Sequence, residues 1–296
     1  MDNLRGSVLM VLAMAGFALE DMFIKRLAEA MPVGQIIAVV GLGGAVIFAA
    51  ITRAQGRRLI TRDLLARPVI LRNIGEMAGT MCFVTAIALT PLSSASAILQ
   101  ATPLVVTLGA AVFLGAPVGW RRWLAILVGF AGVLMVVRPG LAGFAPASLF
   151  AVGAVIGLAV RDLATRAVPA AISSMQLSTY AFATLVPTGA ILMALGGAPV
   201  ALGVGEMRDL GLALLCGVAA YYAIVAAMRV GEVAVVTPFR YTRLVFALGI
   251  GVLVFGERPD FWTLMGAGVI VASGLYTLMR EARLGRRRRR QGRETA

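Results

Sequence analysis

Long apolar runs recur along the chain, separated by short loops that carry Arg, Pro and Gly. A helix that crosses a bilayer needs about 20 mainly apolar residues. In the first half the runs at 6–28, 33–52, 68–90, 93–114 and 121–138 meet that need. In the second half they lie at 146–167, 173–196, 209–230, 233–256 and 260–280, so ten spanning helices are expected. The first run holds acidic residues and no small-residue cleavage pattern in a suitable place, so it reads as a retained helix rather than a removed leader.

The polar residues that interrupt these runs repeat. Gly16 to Lys25, GFALEDMFIK, becomes GLAVRDLATR when 141 is added to each position, which pairs Gly16 with Gly157, Ala18 with Ala159, Asp21 with Asp162 and Lys25 with Arg166. Glu20 meets Arg161, its opposite in charge. The same offset pairs Gln35 with Gln176, Ala78 with Ala219, Ser96 with Thr237 and Gly115 with Gly256. Apolar matches arise by accident in such a composition, so the rarer Asp and Gln pairs carry the inference of an internal duplication. Residues 1–141 form one five-helix repeat, 142–282 the second, and 283–296 a basic tail.

Composition sharpens the picture. At 60% hydrophobic residues and a mean hydropathy of +0.91 over 296 residues, the chain is an integral membrane protein. Cys82 and Cys216 fall in separate predicted helices and imply neither a disulfide nor a metal site. Histidine is absent, which removes the commonest metal ligand, and no cofactor is expected. With the amino terminus inside, eighteen arginines fall on the inner side and only Lys25, Arg26, Arg138, Arg208 and Arg258 on the outer side. That bias places both termini in the cytoplasm and the chain in a bacterial inner membrane. The run Arg286 to Arg290 then reads as a topological lock drawn to anionic membrane lipid, and no nucleic-acid partner is expected. Trp120, Trp123 and Trp262 suit interfacial anchoring.

Four acids, Glu20, Asp21, Glu76 and Asp162, and four bases, Arg72, Arg161, Arg240 and Arg243, fall inside the predicted spans. Such residues pair, snorkel, or mark a solute path. Arg72 and Glu76 are four apart on one helix, as a local ion pair requires. Glu20, Asp21, Arg161 and Asp162 are candidates for energy coupling or for structural pairing. On the fourth helix Ser93, Ser96, Gln100, Pro103 and Thr107 share a face, matched on the ninth by Thr237 and Tyr241. That stripe is expected to line a cavity, although serine and threonine can also bond their own backbone. Glu76, Thr80 and Phe83 share a face of the third helix, and Tyr221 matches position 82 on the eighth. Pro103 and Pro238 can break the backbone ladder inside their spans.

Five helices per repeat is an odd number, so the second copy is expected to enter the membrane from the opposite side. Two inverted copies around a central cavity place a shared site near the midplane, and exchange of their tilts exposes it to each side in turn. The chain resembles the drug/metabolite transporter superfamily in its EamA-like branch over residues 1–282. The marks are ATPLVVTLGAAVFLGAPVGW at 101–120 and TPFRYTRLVFALGIGVLVFGERPDFW at 237–262. The second copy keeps Gly256 and Glu257, whereas Gly115 is followed by Ala116 in the first.

Within that superfamily the chain is most similar to bacterial exporters of the aromatic amino acid type. The resemblance implies a helical basket whose cavity is lined by the first, third, fourth, sixth, eighth and ninth helices. It implies export of neutral and aromatic amino acids by alternating access; the oligomeric state is left open, a monomer included. A substrate ammonium group would meet Glu76, Gln100 or a tyrosine face, and a carboxylate would meet Arg240 or Tyr241. The competing reading is a broad exporter of drugs or other metabolites. A membrane-embedded enzyme is disfavoured by the lack of histidine, of a metal constellation and of a nucleophile turn.

Overall fold

The structure, a computed structural model, describes residues 2–116, 119–141, 144–169 and 171–294. Among the described residues twelve α-helices and two 3₁₀ turns form, and the helices together with the Thr237–Tyr241 turn account for the ten predicted crossings. The first repeat contributes α1 (Asn3–Leu27), α2 (Val33–Ala54), α3 (Arg67–Leu89), a broken pair α4 (Leu92–Leu99) and α5 (Thr102–Phe113), and α6 (Trp120–Val137). The second contributes α7 (Ser148–Thr165), α8 (Ser174–Gly196), α9 (Val204–Val230), a broken α10 (Val233–Val236) and α11 (Thr242–Phe255), and α12 (Phe261–Glu294). The arginine run 286–290 lies on the helical continuation of α12, and its side chains lie outside the described residues.

Among the described residues nine segments are long and apolar enough to cross a membrane unaided. The tenth, α3, falls short because Arg67, Arg72 and Glu76 interrupt it. Leu12, Val46, Leu127, Leu134, Leu215 and Leu253 are more than half exposed, which a water-soluble bundle would not tolerate together and a lipid-facing surface requires. This is a multi-pass, all-α membrane protein. Trp120, Trp123 and Trp262 stand exposed at helix ends, as interfacial anchors do.

Helix ends follow local chemistry. Asp2 caps α1 by accepting from the Arg5 amide, and Ser173 with Gln176 closes a reciprocal capping box on α8. The chain leaves α5 and α11 through Gly115 and Gly256, with φ of 61° and 63°. Both turns need the left-handed conformation that glycine adopts without penalty. These two glycines are 141 positions apart, the interval that aligns the polar residues.

The two broken crossings also correspond. In the first, Pro103 cannot donate to the ladder, and the Thr102 hydroxyl donates to the Leu99 carbonyl at 2.6 Å instead. In the second, the Thr237–Tyr241 3₁₀ turn contains Pro238, and the Thr242 hydroxyl donates to the Phe239 carbonyl at 2.7 Å. The crossings expected at 93–114 and 233–256 are each split at the proline-bearing segment, where Pro103 and Pro238 were expected to be able to break the ladder.

Packing joins the halves rather than separating them. The dominant pairs are α1 with α9, α3 with α7, α2 with α8, and α6 with α12. Replacing each helix by its counterpart turns the first pair into the second and leaves the last two unchanged. Gly16 lies against Cys216 and Ala220 on α9, and Gly157 lies against Gly75 and Gly79 on α7's partner α3. A Cβ at Gly157 would come 2.5 Å from the Gly79 amide nitrogen, so only hydrogen there permits this backbone approach. Gln35 and Gln176 are equivalent too. Gln35 exchanges hydrogen bonds with Val200 at 2.8 and 2.9 Å, and Gln176 donates to the Arg58 carbonyl at 2.8 Å, so each ties down a loop of the opposite half.

Candidate functional site

Charged side chains from both halves meet between α1, α3, α7 and α11. The Arg243 guanidinium forks onto Asp21, with Nη2 at 2.7 and 2.9 Å and Nε at 3.2 Å. Its flat faces lie 5.2 Å from the ring centres of Phe17 and Phe83. A planar cation between two aromatic faces, with its donors on a buried carboxylate, is a geometry lysine cannot reproduce. Phe83 is therefore part of this cluster.

A second cluster lies beside it. Glu76 accepts from Arg161 at 3.2 Å and pairs with Arg72 at 3.5 Å. Arg161 also holds Asp162 through Nε at 2.9 Å and Nη2 at 2.8 Å. Arg72 donates to the Tyr221 hydroxyl at 3.3 Å, and the Tyr221 ring packs edge-on against Phe48 and Phe182. The chain Arg72–Glu76–Arg161–Asp162 thus links α3 to α7 and α9. Arg240, half-buried on the turn before α11, feels Asp162, Arg161 and Arg243 electrostatically. Among the described residues its guanidinium makes no hydrogen bond or ion pair, while its backbone carbonyl accepts from the Gln100 amide at 3.5 Å.

Other expected residues are not bonded into these clusters, although Glu20 lies close enough to feel Asp21 and Arg243 electrostatically. Glu20 faces the α1–α9 seam against Gly217 and next to Cys216. Gln100 is buried and its amide donates to the Tyr241 carbonyl at 3.1 Å, which satisfies backbone freed by the 3₁₀ turn. The Tyr241 hydroxyl is turned away from the clusters toward α12, where it abuts Gly274 and is buried without a partner. The Ser96 hydroxyl is likewise buried without a partner, Thr80 is half-buried on α3, and Thr237 is half-buried with a contact of its own. The polar stripe of the fourth crossing therefore faces the matching crossing of the other half, and Thr107 spends its hydroxyl on the Pro103 carbonyl.

The two ends of the bundle are unlike. At the end opposite the amino terminus, Glu257 from the second half clasps the start of α4 in the first. It accepts from the Leu92 amide at 2.5 Å, the Ser93 amide at 3.0 Å and the Ser93 hydroxyl at 2.6 Å. Lys25 adds bonds to the Ile87 and Thr90 carbonyls at 2.9 and 2.6 Å and sits 3.9 Å from Glu257. A shallow cavity of about 250 Å³ lies outside this closure, lined by Ser94, Arg138, Glu257 and Asp260. At the amino-terminal end the counterpart of Glu257 is Ala116, which has no acceptor, and the counterpart of Lys25 is Arg166, which is exposed. Helices α1 and α3 pack together, while α7 and α9 make no comparable contact. Sequence reasoning had marked Glu257 as a motif residue without a role. The signal was its offset partner Ala116.

The EamA-like transporter family model matches residues 4–138 and again 145–279, two segments displaced by the same 141 positions. The chain belongs to the EamA-like transporter family. It is a transporter of small molecules rather than an enzyme. A riboflavin transporter of Rhizobium johnstonii is 28% identical over 218 residues, covering 74% of this chain and 72% of that one. An S-adenosylmethionine uptake transporter of Rickettsia bellii is 25% identical, covering 72% of each chain. A pseudopaline exporter of Pseudomonas aeruginosa is 29% identical over 286 residues, covering 92% of this chain and 96% of that one. A solved crystal structure 20% identical in sequence has the same fold, with a TM-score of 0.62 over 94% of this chain and 99% of the other. The expected likeness to aromatic amino acid exporters is not carried by these relatives, which are named for three other kinds of metabolite.

Proposed function

We propose that this EamA-family chain carries a polar metabolite across the bacterial plasma membrane by alternating access, with both termini in the cytoplasm. Two five-helix repeats, 1–141 and 142–282, run in opposite directions through the bilayer, and the solute binds between them at mid-depth. The reading is supported by the helix pairs that exchange under the 141-residue offset, and by charges from both halves converging where those pairs cross.

The observation that carries it is the unequal closure of the two ends. Glu257 latches the outer end across the two halves with Lys25 3.9 Å away, whereas Ala116 and Arg166 leave the cytoplasmic end without an equivalent. A fold whose halves are equivalent in packing but unequal at their mouths is one conformer of a rocking pair, here facing the cytoplasm. An inward-facing site that fills from the cytoplasm suits export. The candidate contact residues are Glu76, Thr80, Phe83, Tyr221, Thr237 and Arg240, with Ser96, Gln100 and Tyr241 holding the broken crossings in place. Asp21 and Arg161 tie the halves together, Asp162 braces Arg161, and Glu20 stands at a helix seam.

A general metabolite carrier is favoured over a carrier dedicated to aromatic amino acids, because the centre is dense in charge rather than largely apolar. The test is exchange by the full-length chain in proteoliposomes, using S-adenosylmethionine, succinate, L-phenylalanine and L-tryptophan as separate probes. Saturable movement of at least one of the first two above empty vesicles, with no restriction to the last two, is expected. Saturable exchange of the aromatic amino acids alone would restore the narrower reading.

A further inference from the structure

Among the described residues two central charges, the Arg240 guanidinium and the Glu20 carboxylate, have no partner within contact range, and only the first is a cation. Asp21 is taken up by the fork of Arg243, Glu76 by Arg72 and Arg161, and Asp162 by two nitrogens of Arg161. Arg240 shares its surroundings with one carboxylate already in use, Asp162, and with two further guanidiniums, Arg161 and Arg243. Glu20 is not among the groups it feels; that carboxylate faces Gly217 across the α1–α9 seam. A cation held in the bilayer without an anion at contact is unfavourable by several kcal/mol, and proteins otherwise pair such groups.

The backbone aims Arg240 rather than leaving it to wander. The turn that bears it is fixed from the other half, because the Gln100 amide holds the Tyr241 carbonyl next to it. On one side Tyr241 is buried against α12. On the other, α7 and α9 are not packed together as α1 and α3 are, and Arg240 is only half-buried, so its neighbours do not close it in.

We propose that the transported solute carries an acidic group, a carboxylate, and that Arg240 receives it at the centre of the membrane. The inference rests on the transport reading above and narrows its substrate class to organic acids and zwitterions. The guanidinium supplies paired donors that match a carboxylate edge, and the surplus of positive charge around it repels a purely cationic solute. Arg240 is a specificity-determining residue in this account.

The test uses the full-length chain in proteoliposomes loaded with a hydrophilic small-molecule extract of bacterial cells, with mass spectrometry of what leaves. Matched pairs are assayed alongside, L-phenylalanine with phenethylamine and succinate with succinamide. The expected result is that compounds leaving above the empty-vesicle rate bear a carboxylate. In Arg240→Gln their efflux falls about thirty-fold, the equivalent of one charge-assisted contact of about 2 kcal/mol. Arg240→Lys, which keeps the charge and loses the fork, restores part of it. Efflux of neutral or cationic compounds at rates equal in parent and Arg240→Gln overturns the inference and leaves the transport reading intact. Efflux of nothing from the parent overturns both.

Discussion

Removal of the Glu257 carboxylate probes the outer latch directly. Its side chain is 9% exposed, and it accepts three hydrogen bonds from the first turn of α4 with Lys25 close by. The donors include two backbone amides of a helix start, where the helix dipole favours an anion. All of these contacts cross between the halves, so they exist only while the outer end is shut. A charge-assisted bond contributes about 1.5–3 kcal/mol, and donors that regain water on opening recover part of that. Loss of the whole clasp in Glu257→Ala should therefore cost the closed state about 3 kcal/mol, which shifts the ratio of closed to open about 100-fold.

Ser96, buried on α4 one turn behind the clasp, provides the reporter. With Cys82 and Cys216 replaced by alanine, Ser96→Cys should react slowly with a membrane-impermeant thiol reagent added outside. Glu257→Ala should accelerate that reaction by one to two orders of magnitude. Glu257→Gln, which keeps an acceptor oxygen and loses the charge, should fall between. An equal rate in all three would mean that the clasp does not hold the gate.

Other perturbations test the packing. Arg243→Ala leaves Asp21 buried and unpaired and should destabilise the chain by about 3–5 kcal/mol in thermal unfolding. The double change with Asp21→Ala should recover much of that loss. Gly157→Leu forces apart the crossing of α3 and α7 and should abolish folded yield, while Gly249→Leu, whose Cβ would meet nothing within 4 Å, should fold normally. Outside the membrane, burial works against ionisation of Asp260, but bonds from Thr263 and the adjacent Arg138 outweigh it and hold its carboxyl below the usual range. A depressed folded-state pKa means stability present near neutrality and lost as pH falls through that value. Asp260→Asn should thus lower the melting temperature at pH 7 and have a smaller effect in acid.

The fold was legible because lipid enforces simple rules: length and hydropathy mark nearly every crossing, and only α3 needs its neighbours to remain in the membrane. The duplication was legible because its rare residues do physical tasks twice. Gly16 and Gly157 allow close crossings, Gln35 and Gln176 tie loops, and Gly115 and Gly256 make the same left-handed turn. The site was less legible. Helical periodicity placed Gln100 and Tyr241 on a polar face, but it cannot say which groups are consumed by a broken helix. In the structure one amide satisfies freed carbonyls, and one phenol is turned onto a glycine of α12. The sequence likewise expected Arg72 to pair with Glu76 and so missed that Arg161, from the opposite half, shares that carboxylate.

The central claim is that the two ends open in turn around a site in the middle. Spin-label pairs in a cysteine-free background measure it most directly, one pair at 166 and 229 on the cytoplasmic end and one at 89 and 258 on the outer end. The account predicts two populations for each pair. Glu257→Ala should shorten the 166–229 distance in the same proportion of molecules in which it lengthens the 89–258 distance. A cytoplasmic distance that stays fixed while the outer one changes, or two ends that open together, would contradict it.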